Sequence, residues 1–424
     1  MLNRANSKFM TKTATCRYCE EPLNHLMCDL GMSPMANSYP KAENLSEGEK
    51  AYPLKVWVCE KCLLAQLEEF EPPEAIFSDY AYFSSVSSGW VEHARRYAWM
   101  MIDRFGFDEN SLVVEVASND GYLLQHFSAR GIPVLGIEPA ANIARYANEE
   151  KGIETLVRFF GSQTARTLHA DGRGADLLIG NNVLAHVPDI KDFVRGVKIA
   201  LKPGGIFTFE FPHLMRLIDG NQYDTIYHEH FSYLSLLSVE RIFSRYGLEI
   251  FDVEELPTHG GSLRIIGKHA GYNSELHRPT GRVAELRERE ISFGLAEMGT
   301  YRAFAERSKA AKRDLLTFLI DVNERGESVV CYGAAAKGVT LMNFCGLGSD
   351  MIDYVVDKSP HKQDRYIPGA NVAIHPPSKI FETRPDYVMI LPWNISDEVR
   401  SEMSGIREWG GRFVVPIPNV RVFE

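Results

Sequence analysis

The feature that most constrains the fold is an alternation of apolar runs and helical segments that begins at residue 111. The first two units are SLVVEVASNDGYLLQHFSARG (111–131) and IPVLGIEPAANIARYANEEKG (132–152), and ADLLIGNNVLAHVPD (175–189) starts a third. Each apolar run passes through a turn of small residues into a helical pattern. Strands that alternate with helices in this way form βαβ units and a parallel sheet. The chain is therefore predicted to be an α/β protein with a doubly wound sheet.

A second α/β unit is predicted near the C-terminus. There the stretch SVVCYGAAAKGVTLMNFCG (328–346) repeats the order of strand, glycine turn and helix. The stretch from about 279 to 322 is charged, helical in period and poor in turn signals. It is predicted to be a helical pair that connects the two α/β units.

Four of the seven cysteines stand in two tight pairs, CRYC and CEKC. Two C-x-x-C turns are the usual way to present four thiolates tetrahedrally to Zn²⁺. The 39 residues between the pairs must fold as a small unit, and no ligand position is left open for a substrate. A structural zinc is therefore predicted, and accidental pairs of reduced cysteines are the alternative. The predicted ligands are Cys16, Cys19, Cys59 and Cys62, and the predicted packed free thiols are Cys28, Cys331 and Cys345.

Composition narrows the range of partners. The 424 residues carry a formal net charge of −10 and no block of Lys and Arg. Binding to a nucleic-acid backbone usually requires a basic patch, so no nucleic-acid partner is expected. No apolar run approaches the roughly 18 residues of a membrane span, and the N-terminus lacks an apolar signal core. We expect a cytoplasmic protein with no membrane partner.

The turn after the first predicted strand indicates the cofactor. It reads EVASNDG (115–121), with one glycine in place of the G-x-G-x-x-G that approaches a dinucleotide pyrophosphate. A compact turn beside an acidic residue suits a cofactor without phosphates, such as S-adenosylmethionine, and an acid about 20 residues further on suits its ribose. The order and spacing of these stretches favour a class I methyltransferase over a different nucleotide-binding fold. The predicted cofactor-binding residues are Glu115, Ala117, Asn119, Gly121, Glu138, Pro139 and Asn181.

Several stretches in a fixed order then resemble a known family. They are the two cysteine turns, PPEAIFSDYAYFSSVSS, VEVASNDGYLL, GIEPAANIA, NNVLAHVPD, DTIYHEHFSYLS, HGGSLRI and GAAAKGVTLMN. Together they resemble the C-methyltransferases that act on nucleotide-linked keto-deoxysugars, and YHEHFSY is the most specific of them. The resemblance implies methylation at C-3 of a dTDP-linked 4-keto-6-deoxysugar. It also implies a zinc-binding domain (1–75), a methyltransferase domain (76–275), a helical connection (276–322) and a Rossmann-like C-terminal domain (323–424).

The stretch YDTIYHEHFSYLS (223–235) is unusually rich in titratable groups. Methylation of a carbon requires a base, and a neutral imidazole has a pKa near the working pH. By the resemblance, His230 is the base, and Glu229, Tyr227 and His186 lie in the same active site. Neighbouring residues of a strand point to opposite faces, so a loop is predicted if Glu229 and His230 both reach the pocket. A structural role is the alternative for His228 and His259, and a second metal at HEH is a weaker one.

Substrate contacts are predicted from the remaining motifs. The resemblance places Tyr80 and Tyr82 in a loop that closes over the substrate. Lys337 and the helix N-terminus after GAAAKG could hold a pyrophosphate, with Arg264 as a further cation. A tight turn with a solvated lysine is the alternative. The competing functions are O- or N-methylation of a small molecule, and a non-catalytic module that binds a nucleotide sugar.

Overall fold

Three β-sheets organise the chain in the computed structural model, which describes residues 14–74 and 83–424. The first sheet is antiparallel and has the order β1-β2-β3-β9. Its first three strands are β1 (His25–Ser33), β2 (Tyr52–Val58) and β3 (Ala65–Leu67). Its fourth strand, β9 (Ser232–Tyr233), comes from a distant part of the chain. The unit predicted between the two cysteine pairs is therefore present as β1 and β2.

The central sheet has the order β10-β11-β8-β7-β4-β5-β6. Its strands are β4 (Val113–Val116), β5 (Val134–Ile137), β6 (Thr155–Leu156), β7 (Ala175–Asn181), β8 (Leu201–Pro212), β10 (Leu248–Leu256) and β11 (Ser262–His269). Strands β4 to β8 are parallel, as predicted. Strand β11 runs antiparallel to both neighbours, because the short link from β10 allows only a hairpin.

Helices cover the faces of the central sheet. They are α1 (Ser88–Phe105), α2 (Leu124–Ser128), α3 (Ala141–Glu150), α4 (Ser162–Ala170), α5 (Ile190–Ala200), α6 (Leu214–Asp219) and α7 (Leu236–Arg245). Helix α1 begins where Ser87 accepts a hydrogen bond from the backbone N–H of Trp90, and it ends at Gly106 in the left-handed conformation.

The connection and the third sheet complete the fold. Helices α8 (Gly281–Phe293) and α9 (Met298–Glu324) occupy the segment predicted to be a helical pair. The third sheet has the order β14-β13-β12-β15-β16-β17. Its strands are β12 (Val329–Tyr332), β13 (Val355–Val356), β14 (Ile374–His375), β15 (Tyr387–Ile390), β16 (Arg412–Val415) and β17 (Arg421–Phe423). Its helices are α10 (Ala336–Cys345), α11 (Ser378–Thr383) and α12 (Ser396–Glu402).

The fold places the polar loops at one edge of the central sheet. The turn after β4, the turn after β5 and the loop after β7 all follow the carboxyl ends of parallel strands, where α/β sheets bind ligands. The remaining cysteines, Cys28, Cys331 and Cys345, are buried free thiols, as predicted. None of the helices in the described ranges combines the length and the apolar character needed to cross a bilayer.

Candidate active site

Four cysteine thiols converge beside the N-terminal sheet. All four sulfur atoms lie within 4.8 Å of one another. The shortest separations are 3.5 Å between Cys16 and Cys62 and 3.4 Å between Cys19 and Cys59. Sulfur ligands lie about 2.3 Å from a tetrahedral Zn²⁺, which requires separations of this size. The donor set fits a closed structural zinc site, as the two C-x-x-C turns predict.

Three residues of the turn predicted to bind the cofactor have a left-handed backbone conformation. Ala117, Asn119 and Gly121 have φ values of 52°, 49° and 76°. The carboxylate of Glu138, just after β5, accepts hydrogen bonds from the backbone N–H groups of Asn119 (3.0 Å) and Ala140 (2.9 Å). Glu138, the acid predicted to bind ribose, therefore also fixes the backbone of the turn. Pro139 is the next residue in the chain.

Glu115 at the end of β4 has an unusual environment. Its side chain is 1% exposed, and neither carboxylate oxygen has a hydrogen-bond partner among the described residues. Burial raises the pKa of Glu115 well above its usual value, and the nearby Asp120 and Glu138 raise it further. A buried carboxyl group without a partner is costly. A ligand that carries an ammonium and a sulfonium charge, as S-adenosylmethionine does, would compensate it.

The segment that leads into α1 is tied to the same turn. The backbone N–H of Ser84 donates to Oδ1 of Asn119 at 2.8 Å, and that of Ser85 donates to Oδ2 of Asp120 at 3.1 Å. Ser84 and Ser85 are thus fixed to the turn that is predicted to bind the cofactor. Tyr80 and Tyr82 themselves lie outside the described residues.

Glu210 is a buried carboxylate that the sequence analysis did not single out. Glu210 on β8 accepts hydrogen bonds from His93 Nε2 (3.0 Å), Arg264 Nη2 (2.7 Å) and Thr258 Oγ1 (2.9 Å). Burial alone would raise the pKa of Glu210, but the hydrogen bond from His93 and the charge of Arg264 outweigh it and lower the pKa to about 2. The signal that could have found Glu210 is an acidic residue inside the apolar run IFTFEFP.

Arg264, which was predicted to bind a pyrophosphate, is paired with carboxylates of the protein in the structure. Its guanidinium group is 3% exposed and forms ion pairs with Glu210 and Glu254, each at 2.7 Å. It also lies 4.5 Å from the ring centre of Tyr97. These contacts favour a role for Arg264 in holding β8, β10 and β11 together.

His230 lies in a loop rather than in a strand, as predicted for the stretch around it. Its Nδ1 lies 2.9 Å from the carbonyl oxygen of Thr225, which can only accept, so Nδ1 carries the proton. The lone pair of Nε2 then faces the hydroxyl group of Tyr227 at 2.8 Å. Burial lowers the pKa of His230 well below its usual value, and the neighbouring His186 lowers it further. The imidazole is therefore neutral, with its free lone pair towards Tyr227.

The loop after β7 joins the cofactor side to this histidine. Asn181 ends β7, and its side-chain amide has no hydrogen-bond partner among the described residues. Five residues further on, the ring of His186 lies edge-on to that of His230, with 4.7 Å between ring centres. Burial lowers the pKa of His186 to about 4, so it too is neutral. The loop that follows Asn181 thus brings His186 into contact with His230.

The other histidines have separate positions. His228 Nε2 lies 3.3 Å from the carbonyl oxygen of Pro53, and its ring packs edge-on against Tyr52 and Phe70. This packing agrees with the structural role considered for His228. The ring of His259 packs edge-on against Trp90 of α1.

Lys337 lies at the start of α10 and faces the loop that carries His230. Its ammonium group donates to Oδ1 of Asn394 at 3.0 Å and lies 4.7 Å from the ring centre of Trp393. The indole N–H of Trp393 donates to Oδ2 of the buried Asp224 at 2.7 Å. Burial raises the pKa of Asp224 to about 6, and the charge of Lys337 opposes this. Helix α10 of the C-terminal region therefore brings a cation close to the loop that carries His230.

Comparisons with known proteins assign the chain to a class. Family profiles match three successive parts of the chain, namely a zinc binding domain (16–77), a methyltransferase domain (90–253) and a C-methyltransferase C-terminal domain (257–418). Together with the sheet order and the turn after β4, these matches define a class I, S-adenosylmethionine-dependent methyltransferase with a zinc-binding region.

Individual relatives identify the family. C-methyltransferase NovU from Streptomyces niveus is 36% identical over 407 residues, which cover 96% of each chain. The chain belongs to this C-methyltransferase family. A ubiquinone biosynthesis O-methyltransferase from Methylobacterium sp. (strain 4-46) is 33% identical over 98 residues, which cover 22% of this chain and 38% of that protein. A solved methyltransferase from Anabaena variabilis aligns with a TM-score of 0.34 at 14% identity, covering 48% of this chain and 100% of that one.

Replacing Glu138 by alanine is expected to weaken the binding of S-adenosylmethionine. One charge-assisted hydrogen bond contributes about 1.5–3 kcal/mol, so the dissociation constant should rise about 10-fold to 150-fold. Isothermal calorimetry measures this change, and Glu149→Ala on the exposed face of α3 is the matched control. Unchanged affinity in Glu138→Ala would contradict the ribose contact. Tight NAD binding with no response to S-adenosylmethionine would contradict the cofactor itself.

Proposed function

We propose that this protein methylates C-3 of a dTDP-linked 4-keto-6-deoxysugar. The observation that carries the proposal is the neutral imidazole of His230, whose Nε2 lone pair is directed towards the hydroxyl group of Tyr227 in a buried loop. Methylation of an oxygen or nitrogen needs no base for a C–H bond, whereas methylation of carbon does. The resemblance of YHEHFSY to the keto-deoxysugar enzymes supplies the class of substrate.

His230 takes the proton from the carbon next to the ketone. The electron pair of that C–H bond moves towards the carbonyl oxygen and forms an enolate. The hydroxyl group of Tyr227 leaves Nε2 when the sugar enters and donates to the developing oxyanion, with His186 beside it. When bound, S-adenosylmethionine would supply an electrophilic methyl group to the enolate carbon. The new C–C bond would form as the S–CH₃ bond breaks, and the sulfur would keep that electron pair and become a neutral thioether. The proton stays on His230 until it passes to solvent.

The nucleotide is proposed to lie against the C-terminal sheet. Lys337 and the first N–H groups of α10 are available to a pyrophosphate, because the ammonium group of Lys337 is held by the neutral amide of Asn394 rather than by a carboxylate within hydrogen-bond distance. Arg264 is already paired with two carboxylates, so it is less available to a pyrophosphate than Lys337 is. Tyr80 and Tyr82 remain the proposed contacts of the closing loop.

A screen of nucleotide-linked keto-sugars tests the function. The zinc-loaded protein is incubated with S-adenosylmethionine labelled at the methyl group and with dTDP- and GDP-linked 4-keto-6-deoxysugars. The expected product carries the label on the carbon next to the ketone, as located by NMR. A label on oxygen or nitrogen, or no transfer to any keto-sugar, would contradict the proposal.

A further inference from the structure

The loop that carries His230 continues directly into the zinc-bearing sheet. Residues 226–231, here called the site loop, lead into β9, which pairs with β3. The backbone N–H of Leu67 donates to the carbonyl oxygen of Phe231 at 3.0 Å. Phe231 is the residue after His230, so the N-terminal sheet holds the chain immediately beside the proposed base.

Gln66 connects this pairing to the zinc ligands. Its side-chain Nε2 donates to Sγ of Cys16 at 3.2 Å, and its Oε1 accepts from the backbone N–H of Arg17 at 2.8 Å. The side chain is only 2% exposed, so water cannot replace these contacts. Outer contacts of this kind orient metal ligands and raise metal affinity. The same residue pairs with Ser232 on β9, which places the cysteine cluster and the site loop on either side of Gln66.

A second contact reaches Glu229. The side-chain amide of Asn37, in the link between β1 and β2, donates to Oε1 of Glu229 at 2.7 Å. Glu229 is 3% exposed, and burial raises its pKa to about 7. The hydrogen bond from Asn37 and the charge of Lys362 oppose this rise. Lys362 belongs to the C-terminal region and donates to the carbonyl oxygen of Ala334 at 2.8 Å.

We propose that the zinc-binding region is a positioning part of the active site. Strand β3 fixes the backbone beside His230, because its Gln66 contacts a zinc ligand and its Leu67 holds Phe231. Asn37 fixes the carboxyl group of Glu229. The roles of His230 and Glu229 rest on the proposed function, but the two contacts do not. If the zinc only stabilised the fold of its own region, that region would need neither the pairing of β3 with β9 nor a hydrogen bond to Glu229. The region therefore acts on the site loop at two points, through its backbone and through one side chain.

Gln66→Met tests the connection between the zinc site and the site loop. Methionine has nearly the same length but cannot donate to a thiolate. Zinc affinity, measured by competition with a chelator, should fall about 10-fold to 100-fold. Hydrogen exchange of the zinc-loaded protein should become faster in the peptide that spans 226–233. Gln163→Met, on an exposed position of α4, is the control and should change neither quantity.

Unchanged exchange in 226–233 in zinc-loaded Gln66→Met would overturn the connection. If Gln66→Met does not fold, the connection is decided on the wild-type protein, with zinc removed stepwise by chelator. Exchange in 226–233 should then rise in parallel with zinc loss, and a loss of zinc that leaves this peptide protected would overturn the proposal.

Asn37→Leu tests the contact with Glu229 at a position that is itself exposed. Loss of a hydrogen bond that stabilises the ionised carboxyl should move its titration midpoint upward by about one pH unit or more. Infrared difference spectra report this midpoint, and the signal is assigned by its absence in Glu229→Gln. The pH profile of kcat should move in the same upward direction. Ser38→Ala is the neighbouring control.

A midpoint in Asn37→Leu equal to that in Ser38→Ala would overturn the positioning role of Asn37. The infrared midpoint and the exchange rates need no substrate. A wild-type protein that methylates no keto-sugar would therefore contradict the proposed function alone, while these two measurements still decide the positioning role.

Discussion

His230→Asn is expected to lower methylation of a keto-sugar about 10²-fold to 10⁴-fold, which is the usual contribution of a positioned base. Asparagine keeps much of the shape of histidine and a polar group, but it has no basic nitrogen. In D₂O the wild-type protein should exchange the hydrogen next to the ketone at a measurable rate, and the variant should lose this exchange by a similar factor. NMR follows both reactions.

The geometry explains why a neutral histidine suits this step. Nδ1 is committed to the carbonyl oxygen of Thr225, so Nε2 is the only nitrogen with a lone pair. Burial holds the pKa of His230 below its usual value, so the ring remains unprotonated near neutral pH. The same burial makes the imidazolium that forms after proton transfer unfavourable. The negative charge of the enolate that develops beside the imidazolium would offset the free-energy cost of burying the imidazolium charge.

Tyr227→Phe is the matched comparison for the histidine variant. It removes the hydroxyl group at 2.8 Å from Nε2 but keeps the base and most of the ring packing. Its loss should be smaller, about 10-fold to 100-fold, because one hydrogen bond to a charged group is removed. Affinity for S-adenosylmethionine should stay nearly unchanged in both variants. Near wild-type exchange in His230→Asn would show that the base is another residue, with Glu229 and His186 the next to test.

Cys59→Ser is expected to remove zinc and to unfold the N-terminal region. Structural zinc sites contribute about 10–16 kcal/mol of apparent binding free energy in small peptides. This is comparable to the 5–15 kcal/mol that stabilises a typical domain, so the N-terminal sheet is not expected to stay folded without the metal. Elemental analysis should find one zinc per wild-type chain and a large loss in the variant. Limited proteolysis should then cut within residues 14–74.

Cys28→Ala is the control for the zinc variant. Cys28 lies in β1 of the same sheet and is buried, but it is not one of the four clustered thiols. The control should keep its zinc and lose only the stability expected of a small cavity. A native wild-type protein without zinc, or a Cys59→Ser variant that resists proteolysis as the wild type does, would contradict the structural role of the metal.

Local motifs were the part of this protein that the sequence could predict. The spacing within CRYC and CEKC determines where four thiols point, because two residues between cysteines form one tight turn. The turn EVASNDG and the acid at Glu138 likewise depend on one strand–turn–helix unit and its successor. The loop around His230 was predicted because strand geometry would have separated Glu229 from His230. In each case the deciding residues lie close together in the chain.

Contacts between distant segments required the tertiary structure. Asn37 and Glu229 are 192 positions apart, and Trp393 and Asp224 are 169 apart. Nothing in the periodicity of either segment indicates its partner. The same holds for Arg264, which the sequence offered as a free cation and which the packing of β8 against β11 places beside Glu210.

The sequence by itself determined the class of fold and the cluster of four cysteines, because short-range geometry and hydrophobic period encode them. Only the tertiary structure decided that β9 joins the zinc-bearing sheet and that the C-terminal sheet brings Lys337 to the site loop. These arrangements depend on how three sheets pack together. Packing is specified by the shapes and burial of many residues at once, and no single motif records it.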